Sequence, residues 1–381
     1  MAVRKRQWIT DKGERREAWI VDYFVNGKRH QKTFAHKKDA DRYHARVTVD
    51  IAKGIHTPES SSLTVAQAAA QWLEYIELEG RERSTVAQYR THVTRHILPR
   101  IGSAKLATLT TPTINRFRDI LVAELSRVMA RKVLVSFAAI IKDARRRGTI
   151  AHNVADGVVI GTDKRAARKL ETGRDIPTPD EIRRLLAAAS APWRALLVVA
   201  AFTGLRASEL RGLRWSDIDL KTGVVHVRQR ADQWGEIGRP KTHTSERSIP
   251  IGPFVVNTLK EWKLASAKSE LAFPGKEGRP VTHKHMLHFG YWPAQHAAGL
   301  VDDKGAPKYS GVHALRHFFA SWCINRRRDG GLELPIKTVQ QRLGHSTIVM
   351  TADFYGHLFP RGDESAELAA AEQALLTVVR E

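Results

Sequence analysis

Two breaks in hydrophobic periodicity cut this chain into three separately patterned segments. The first is Pro58-Glu59-Ser60-Ser61-Ser62, a run of turn-forming and polar residues. The second spans residues 161–174, Gly-Thr-Asp-Lys-Arg-Ala-Ala-Arg-Lys-Leu-Glu-Thr-Gly-Arg, which is polar, basic and aperiodic. One continuous core cannot run through both. A chain of 381 residues with 42% hydrophobic content has the length for two or three domains and too much apolar surface to be disordered throughout. The pattern predicts a multidomain protein: one domain over residues 1–57, a second over 63–160, a linker over 161–174 and a third domain over 175–381.

Lys and Arg number 62 against 40 Asp and Glu, a net charge of +22. The excess is spread along the chain, with +7 in residues 1–55, +8 in 56–173 and +7 in 174–381. A basic tail on a neutral enzyme would concentrate it. Three basic segments in succession imply a protein that faces a polyanion along its length, as nucleic acid or an anionic membrane surface would provide. No run approaches the ~18 apolar residues of a membrane span. The opening Met-Ala-Val-Arg-Lys-Arg-Gln-Trp has no apolar core like that of a secretion signal. Cys323 is the single cysteine, so neither an internal disulfide nor a cysteine-based zinc site is available. A reducing, cytosolic setting is expected, with the chemistry carried by something other than a thiol.

The first segment alternates over Arg16–Phe24 around Trp19, Val21 and Tyr23. Asn26-Gly27 offers the positive-φ pair of a tight hairpin, Lys28–Phe34 is the return strand, and Gln7–Thr10 is a third. Lys37–Ile51 has helical spacing, which makes a three-stranded sheet plus a helix. Lys28, Arg29, His30 and Lys32 fall on exposed strand positions. A β-ribbon of this kind fits a DNA major groove; a solvated sheet face accounts for the same residues equally well. The second segment reads as four helices, Thr64–Gly80, Ser84–His96, Pro112–Leu125 and Arg127–Arg147, with Val65, Ala68, Ala69, Trp72 and Ile76 on the apolar face of the first. The last ends in Arg145-Arg146-Arg147-Gly148, cations in the final turn before a C-cap glycine. Lys142, Arg145, Arg146 and Arg147 are candidate phosphate contacts, although a solvated helix end is the commoner use of such a run. The third segment opens with Thr178-Pro179-Asp180-Glu181, an N-cap, a proline at the first helical position and acids in the first turn. The rest is mostly helical, with one strand region at Val224–Arg228 and Arg247–Ile251. The fold class expected is mainly α with small β-sheets.

Four polar clusters stand out in the third segment. Thr203-Gly204-Leu205-Arg206-Ala207-Ser208-Glu209-Leu210 follows an apolar helix and puts Arg206 at the start of the next, where guanidinium and backbone donors together suit an anion. Glu209, three residues on, can orient it. Lys241 sits between the two strands in Pro240-Lys241-Thr242-His243-Thr244. His313-Ala314-Leu315-Arg316-His317 places His313 and Arg316 on one helical face, a pair that suits a phosphate. Leu315, Phe318, Phe319 and Trp322 point elsewhere, toward a core. Leu343-Gly344-His345-Ser346 precedes Met350-Thr351-Ala352-Asp353-Phe354-Tyr355-Gly356-His357. A phenol, with a pKa of ~10, becomes a nucleophile only among cations and a base. Each cluster alone has an ordinary structural explanation. Their order, Arg…Lys…His-x-x-Arg…Leu-Gly-His…Tyr, is far more specific than any part.

In that order and spacing the chain resembles the tyrosine recombinases of the phage-integrase family, over its whole length. The resemblance implies an arm-type DNA-binding domain at 1–57, a helical SAM-like core-binding domain at 63–160 and a catalytic domain at 175–381. It implies that Tyr355 attacks a scissile phosphodiester to form a 3′-phosphotyrosyl link and release a 5′-hydroxyl. Arg206 and Arg316 would clamp the non-bridging oxygens, Lys241 would protonate the leaving 5′-oxygen, His313 would exchange a proton with Tyr355, and His345 would hydrogen-bond the phosphate. Glu209 would support Arg206. His317 and His357 adjoin these positions without a role implied. Lys241 is the loosest match, because that hairpin varies in length across the family, and Lys221 is a weaker competitor. No cofactor is implied: the covalent link conserves the bond energy, and the sequence has neither a P-loop nor an acidic constellation for two metals.

The implied partners are double-stranded DNA at core and arm attachment sites, further copies of the chain in a tetramer on DNA, an excision factor and a host DNA-bending protein. No membrane is implied. Residues 364–379 read as an amphipathic terminal helix with Ala366, Leu368, Ala369, Leu375, Leu376 and Val379 on its apolar side, expected to dock on a neighbouring protomer. The N-terminal domain favours an integrase of a phage or mobile element over a Xer-like resolvase or transposon recombinase of the same chemistry. A type IB topoisomerase shares Tyr, Arg, Lys and His, and the N-terminal domain and helical clamp argue against it; the intact residue set argues against a catalytically silent DNA-binding regulator.

Overall fold

The computed structural model of the chain describes residues 2–11, 13–25, 27–52, 56–161, 169–240, 243–359 and 364–376. It resolves into two compact units that divide between residues 164 and 165. Helices dominate, with small antiparallel sheets, as the sequence pattern leads one to expect.

The first unit holds two clusters of buried apolar side chains. In one, β1 (Ala2–Ile9), β2 (Arg15–Val25) and β3 (Lys28–Phe34) form an antiparallel sheet in that order. Helix α1 (Lys37–Ala52) closes it, burying Ala40, Tyr43 and Val47 against Val21 and Tyr23. The Tyr23 and Tyr43 hydroxyls meet at 3.1 Å. Gly27 takes the left-handed conformation of a hairpin turn (φ 73°); Asn26 lies outside the described residues. Strand β1 is longer than the expected Gln7–Thr10. Its Arg-Lys-Arg stretch carries no apolar alternation, so sequence alone does not mark it. Backbone pairing with β2 runs its whole length, and its cations meet carboxylates on β2, Lys5 with Glu17 at 2.7 Å and Arg4 with Asp22 at 3.5 Å.

The other cluster is all helical: α2 (Val65–Leu78), α3 (Arg83–His92), α4 (Leu98–Ile101), α5 (Thr111–Glu124) and α6 (Arg127–Arg146). The five apolar positions read on α2 are all buried. Thr64 and Gln67 cap its start reciprocally. The expected helix Ser84–His96 is instead interrupted, since α3 ends at His92 and a wide turn over Val93–Ile97 leads into α4. Pro99 has no N–H to give to the Arg95 carbonyl, and the Arg100 guanidinium satisfies it at 3.2 Å, along with that of His96 at 3.0 Å.

The second unit begins at α7 (Pro179–Ala188), capped by Thr178 and Glu181 as their spacing suggests. Helix α8 (Trp193–Thr203) is buried on nearly every face and ends at Gly204, from which the short α9 (Ala207–Arg211) departs. A three-stranded sheet follows, β4 (Ile218–Asp219), β5 (Val224–Val227) and β8 (Arg247–Pro250), with a two-stranded β6 (Arg230–Ala231) and β7 (Ile237–Gly238) between. The pairing of β5 with β8 is the expected strand region, and β4, β6 and β7 are too short to leave a pattern. Helices α10 (Pro253–Ala265), α11 (His283–His285), α12 (Trp292–Ala297), α13 (His313–Ile324), α14 (Ile336–Leu343), α15 (Ile348–Tyr355) and α16 (Glu364–Leu376) complete the unit. On α13, Leu315, Phe318 and Phe319 are buried and Trp322 half-buried. Cys323 is buried beside them, and burial pushes its thiol up to about 12, which keeps it inert.

Gly204 is a joint between α8 and α13. It is left-handed (φ 60°), and a Cβ there would lie 2.4 Å from Cδ1 of the buried Phe319. Gly204→Ala is expected to destabilise the protein by about 2–4 kcal/mol through backbone strain and overpacking together, read as a lowered urea midpoint; an unchanged midpoint would show that α13 can shift to make room.

Candidate active site

The second unit brings six of the seven residues expected in its site to one place. Arg206 caps the start of α9. Its backbone N–H donates to Glu209 Oε2 at 2.8 Å, its Nη1 to Glu209 Oε1 at 2.7 Å, and its Nη2 to the Gly344 carbonyl at 3.0 Å. Arg316, on α13, is 2% exposed. Its Nη1 donates to the Gly204 carbonyl at 2.7 Å and its Nη2 to the Leu343 carbonyl. Arg316 is thus tethered to the ends of α8 and α14, and Arg206 to α9 and the end of α14. Burial and the neighbouring Arg206 push the Arg316 pKa down to about 9, still well above neutrality, so the cation persists. The seventh residue, Lys241, lies outside the described residues. Lys221, the competitor, stands in the exposed turn before β5, where its backbone N–H donates to Asp219.

Glu209 is 3% exposed and lies between two arginines. Burial alone would raise its carboxyl; Arg247, then Arg206, overcome that and hold it at about 2. Arg247 was not singled out from the sequence. Its Nη2 donates to Glu209 Oε2 at 2.8 Å and its Nε to the Arg342 carbonyl at 2.7 Å. The available signal was strand alternation, which puts Arg247 on the inward face of β8 with Ile249. A cation at an inward strand position needs a buried partner.

His345 is buried just past α14, with Nδ1 3.0 Å from Thr351 Oγ1 on α15. Thr351 is fully buried and is a second residue that sequence reading missed. Burial, Arg316 and Arg206 push His345 down to about 3. His313, at the start of α13, keeps an exposed edge. The protein packed around its ring disfavours the cation, and His317, Arg316 and Arg206 add to this, so its pKa falls to about 4. At neutral pH both rings are uncharged, each with one N–H to give and one lone pair to receive.

Tyr355 ends α15 and is 2% exposed. Its ring lies nearly parallel to that of His345, 4° between planes and 6.3 Å between centroids. Burial pushes its hydroxyl up to about 12, against a smaller opposite pull from Arg316. The expected pairing of its hydroxyl with His313 is not what the structure has. The partner is His317, whose Nδ1 lies 2.7 Å from the phenolic oxygen. His313 packs edge-on against His317, 4.7 Å between ring centroids. Among the described residues no group of three or more His, Cys, Asp or Glu side chains is arranged to hold a metal ion.

The basic residues expected to contact DNA in the first unit divide into two kinds. Arg29 is engaged by Asp22 and Lys32 by Glu59, while Lys28 is exposed. On α6, Arg146 stacks on the Tyr75 ring, 3.9 Å from its centroid, and both Arg146 and Arg147 pair with Asp143; Lys142 and Arg145 are exposed.

Residues 177–361 match the sequence model of the phage integrase family, and residues 64–122 match that of the phage integrase N-terminal SAM-like domain. A tyrosine recombinase XerC-like protein of Caldanaerobacter subterraneus subsp. tengcongensis is 25% identical over 372 residues, 90% of this chain and 91% of that protein. An integrase of Streptomyces ambofaciens is 26% identical over 369 residues, 90% of each chain. Against the XerC proteins of Xylella fastidiosa, 31% identical, this chain spans about half of their length. Among solved structures, the fold is similar to that of the Tn1549 transposon integrase in complex with a circular intermediate DNA (TM-score 0.61, 21% identity, 82% of this chain and 100% of that one). It is also similar to a lambda integrase tetramer bound to a Holliday junction (TM-score 0.60, 19% identity, 94% and 97%). With the Arg206, His313, Arg316, His345 and Tyr355 cluster folded together inside the matched region, the chain belongs to the phage integrase family of tyrosine recombinases.

Proposed function

We propose that this chain is a site-specific DNA integrase in which Tyr355 attacks the scissile phosphodiester to form a 3′-phosphotyrosyl intermediate and free a 5′-hydroxyl. The observation that carries the reading is a buried tyrosine hydroxyl, bonded to His317 and stacked near His345, in the cluster where the Arg206 and Arg316 guanidiniums are tethered. A phosphodiester gains negative charge as it becomes pentavalent. Arg206 and Arg316 are already fixed where their donors can meet it, so little reorganisation is left for the reaction itself. His345 and His313 supply neutral N–H donors to the phosphate. Lys241 protonates the leaving 5′-oxygen. Glu209 and Arg247 hold Arg206 in place.

The net charge of +22, spread over the whole chain, supports extended binding to duplex DNA. The sheet of β1–β3 with α1 serves as the arm-site module through Lys28, Arg29 and Lys32, and α6 approaches the core site through Lys142 and Arg145–Arg147. Two modules on one DNA molecule gain affinity by effective concentration. This architecture favours integration of a phage or mobile element, with a partner protein for excision and a host protein to bend the DNA. The likeness to a XerC-like protein over nine-tenths of the chain supports, as second reading, a resolvase of the same chemistry. Either role places the protein at the bacterial nucleoid. Among the described residues no helix is long and apolar enough to cross a membrane. Leu368, Leu375 and Leu376 on α16 are exposed, as are Ile348, Val349 and Phe354 on α15. These apolar surfaces suit protomer–protomer contact in a tetramer.

Tyr355→Phe is expected to bind DNA flanking its own gene as tightly as wild type yet yield no SDS-resistant adduct; an adduct from the variant excludes Tyr355 as nucleophile. Glu209→Gln is expected to slow cleavage by about 10²-fold, since ångström-scale misplacement of Arg206 suffices for that. It is also expected to lower stability at neutral pH. The Glu209 pKa is depressed from 4.5 to about 2, so its stabilisation is complete above the unfolded value and lost as pH falls through the folded one. Urea midpoints of wild type and variant are expected to differ most at neutral pH and converge toward pH 2; a gap independent of pH argues against the ion pair. Deleting residues 364–381 is expected to abolish tetramers on paired sites while one-site binding persists, and tetramers surviving the deletion would remove α16 from the interface.

A further inference from the structure

We propose that His317 is a catalytic residue, the base that takes the phenolic proton from Tyr355 during strand cleavage and returns it during rejoining. The inference rests on the reading of Tyr355 as nucleophile. The hydroxyl of a buried tyrosine must lose its proton to something within reach, and the side-chain atom bonded to it is His317 Nδ1, at 2.7 Å. His317 stands on α13 one residue after the buried Arg316, and Tyr355 at the end of α15, so two packed helices set the distance. His313, on the same helix, meets His317 edge-on and keeps an exposed edge. That geometry suits His313 to the phosphate and His317 to the nucleophile.

The step balances without any further reactant. The bond from Tyr355 Oη to phosphorus forms while that from phosphorus to O5′ breaks. The phenolic proton passes to His317 Nδ1, and O5′ takes a proton from the acid assigned to the leaving group, Lys241. In rejoining, the 5′-hydroxyl attacks phosphorus and gives its proton back to Lys241, the bond from phosphorus to Tyr355 Oη breaks, and the imidazolium returns its proton to the departing phenolate.

The surroundings of the ring fit a base of this kind. Burial and then Arg316 hold its pKa at about 4, with Asp175, before α7, pulling in the opposite direction. The ring is therefore uncharged at neutral pH and has a free lone pair. The groups that face it are Arg316 and His313 on its own helix, Tyr355 on α15 and Asp175. A phosphate bound by Arg206 and Arg316 offsets the Arg316 charge, the part of the effect that burial does not account for. The ring becomes more basic at the moment the phenol must be deprotonated.

The test uses the full-length protein and a nicked duplex carrying the sequence it selects from a randomised DNA library. Single-turnover cleavage is measured with oxygen or sulfur at the bridging 5′ position. A 5′-thiolate leaves without a proton, so sulfur repairs the loss of an acid and not the loss of a base. His317→Ala and His317→Asn are compared with wild type; the asparagine Oδ1 can accept the hydrogen bond in place of Nδ1 but cannot take the proton. Both variants are expected to bind the duplex with wild-type affinity and to cleave it slower by about 10²–10⁴-fold, by the same factor for oxygen and for sulfur. Their rates are expected to climb with pH as hydroxide substitutes for the ring, while wild type stays flat above pH 6. Wild-type cleavage by His317→Asn would overturn the proposal, since holding the hydroxyl would then be enough. Rescue of His317→Ala by sulfur would overturn it as well, by assigning the ring to the leaving group. An adduct formed by Tyr355→Phe on the same duplex would instead sink the nucleophile reading itself.

Discussion

The buried guanidinium of Arg316 is the interaction on which the site depends. Taking a cation out of water costs several kcal/mol unless its donors are all placed. Here one carbonyl from the end of α8 and one from the end of α14 meet it. Arg206 shares one of those ends, through the carbonyl of Gly344, and is held on its other side by Glu209 at the start of α9. The left-handed glycines at both ends expose these carbonyls. A side chain at Gly204 would strike Phe319, and one at Gly344 would strike Arg247. The packing that closes the core and the placement of the two cations are therefore one arrangement.

Burial, more than any charge, sets the protonation state of the groups nearby, and the same cations act beside it. They disfavour imidazolium at His313, His317 and His345, and they draw the Tyr355 hydroxyl toward ionisation against its burial. An anion arriving between Arg206 and Arg316 offsets part of that influence on the histidines, while their burial stays. Glu209 is shielded from this exchange, because its charge is matched by Arg247 as well as Arg206. The site thus has a fixed acidic element that positions, and a set of neutral rings whose basicity follows the occupancy of the phosphate position.

Much of this was legible in the chain because it is local. The N-cap at Thr178, the apolar face of α2 and the hairpin glycine all follow from short-range chemistry, and the structure keeps them. The order of the polar clusters in the third segment pointed to Arg206, Glu209, His313, Arg316, His345 and Tyr355. What could not be read was pairing across distance. Arg247 looked like an ordinary strand residue because Glu209 is 38 positions away. Thr351 looked like a helix residue beside a candidate, and only the fold turns its hydroxyl toward His345. The choice between His313 and His317 as partner of Tyr355 depends on the relative rotation of α13 and α15, which helical spacing does not determine. Most of strand β1 escaped for a related reason, since its pairing with β2 is through the backbone and its side chains carry no apolar alternation.

The most direct measurement of the central claim is to map the covalent bond itself. Adduct trapped on nicked DNA would be digested with protease and nuclease, and the remaining nucleotide located on the peptide by mass spectrometry. The expected result is a nucleotide joined through its 3′-phosphate to Tyr355, with a 5′-hydroxyl on the complementary cleavage product. Attachment at another residue, or through a 5′-phosphate, would contradict it.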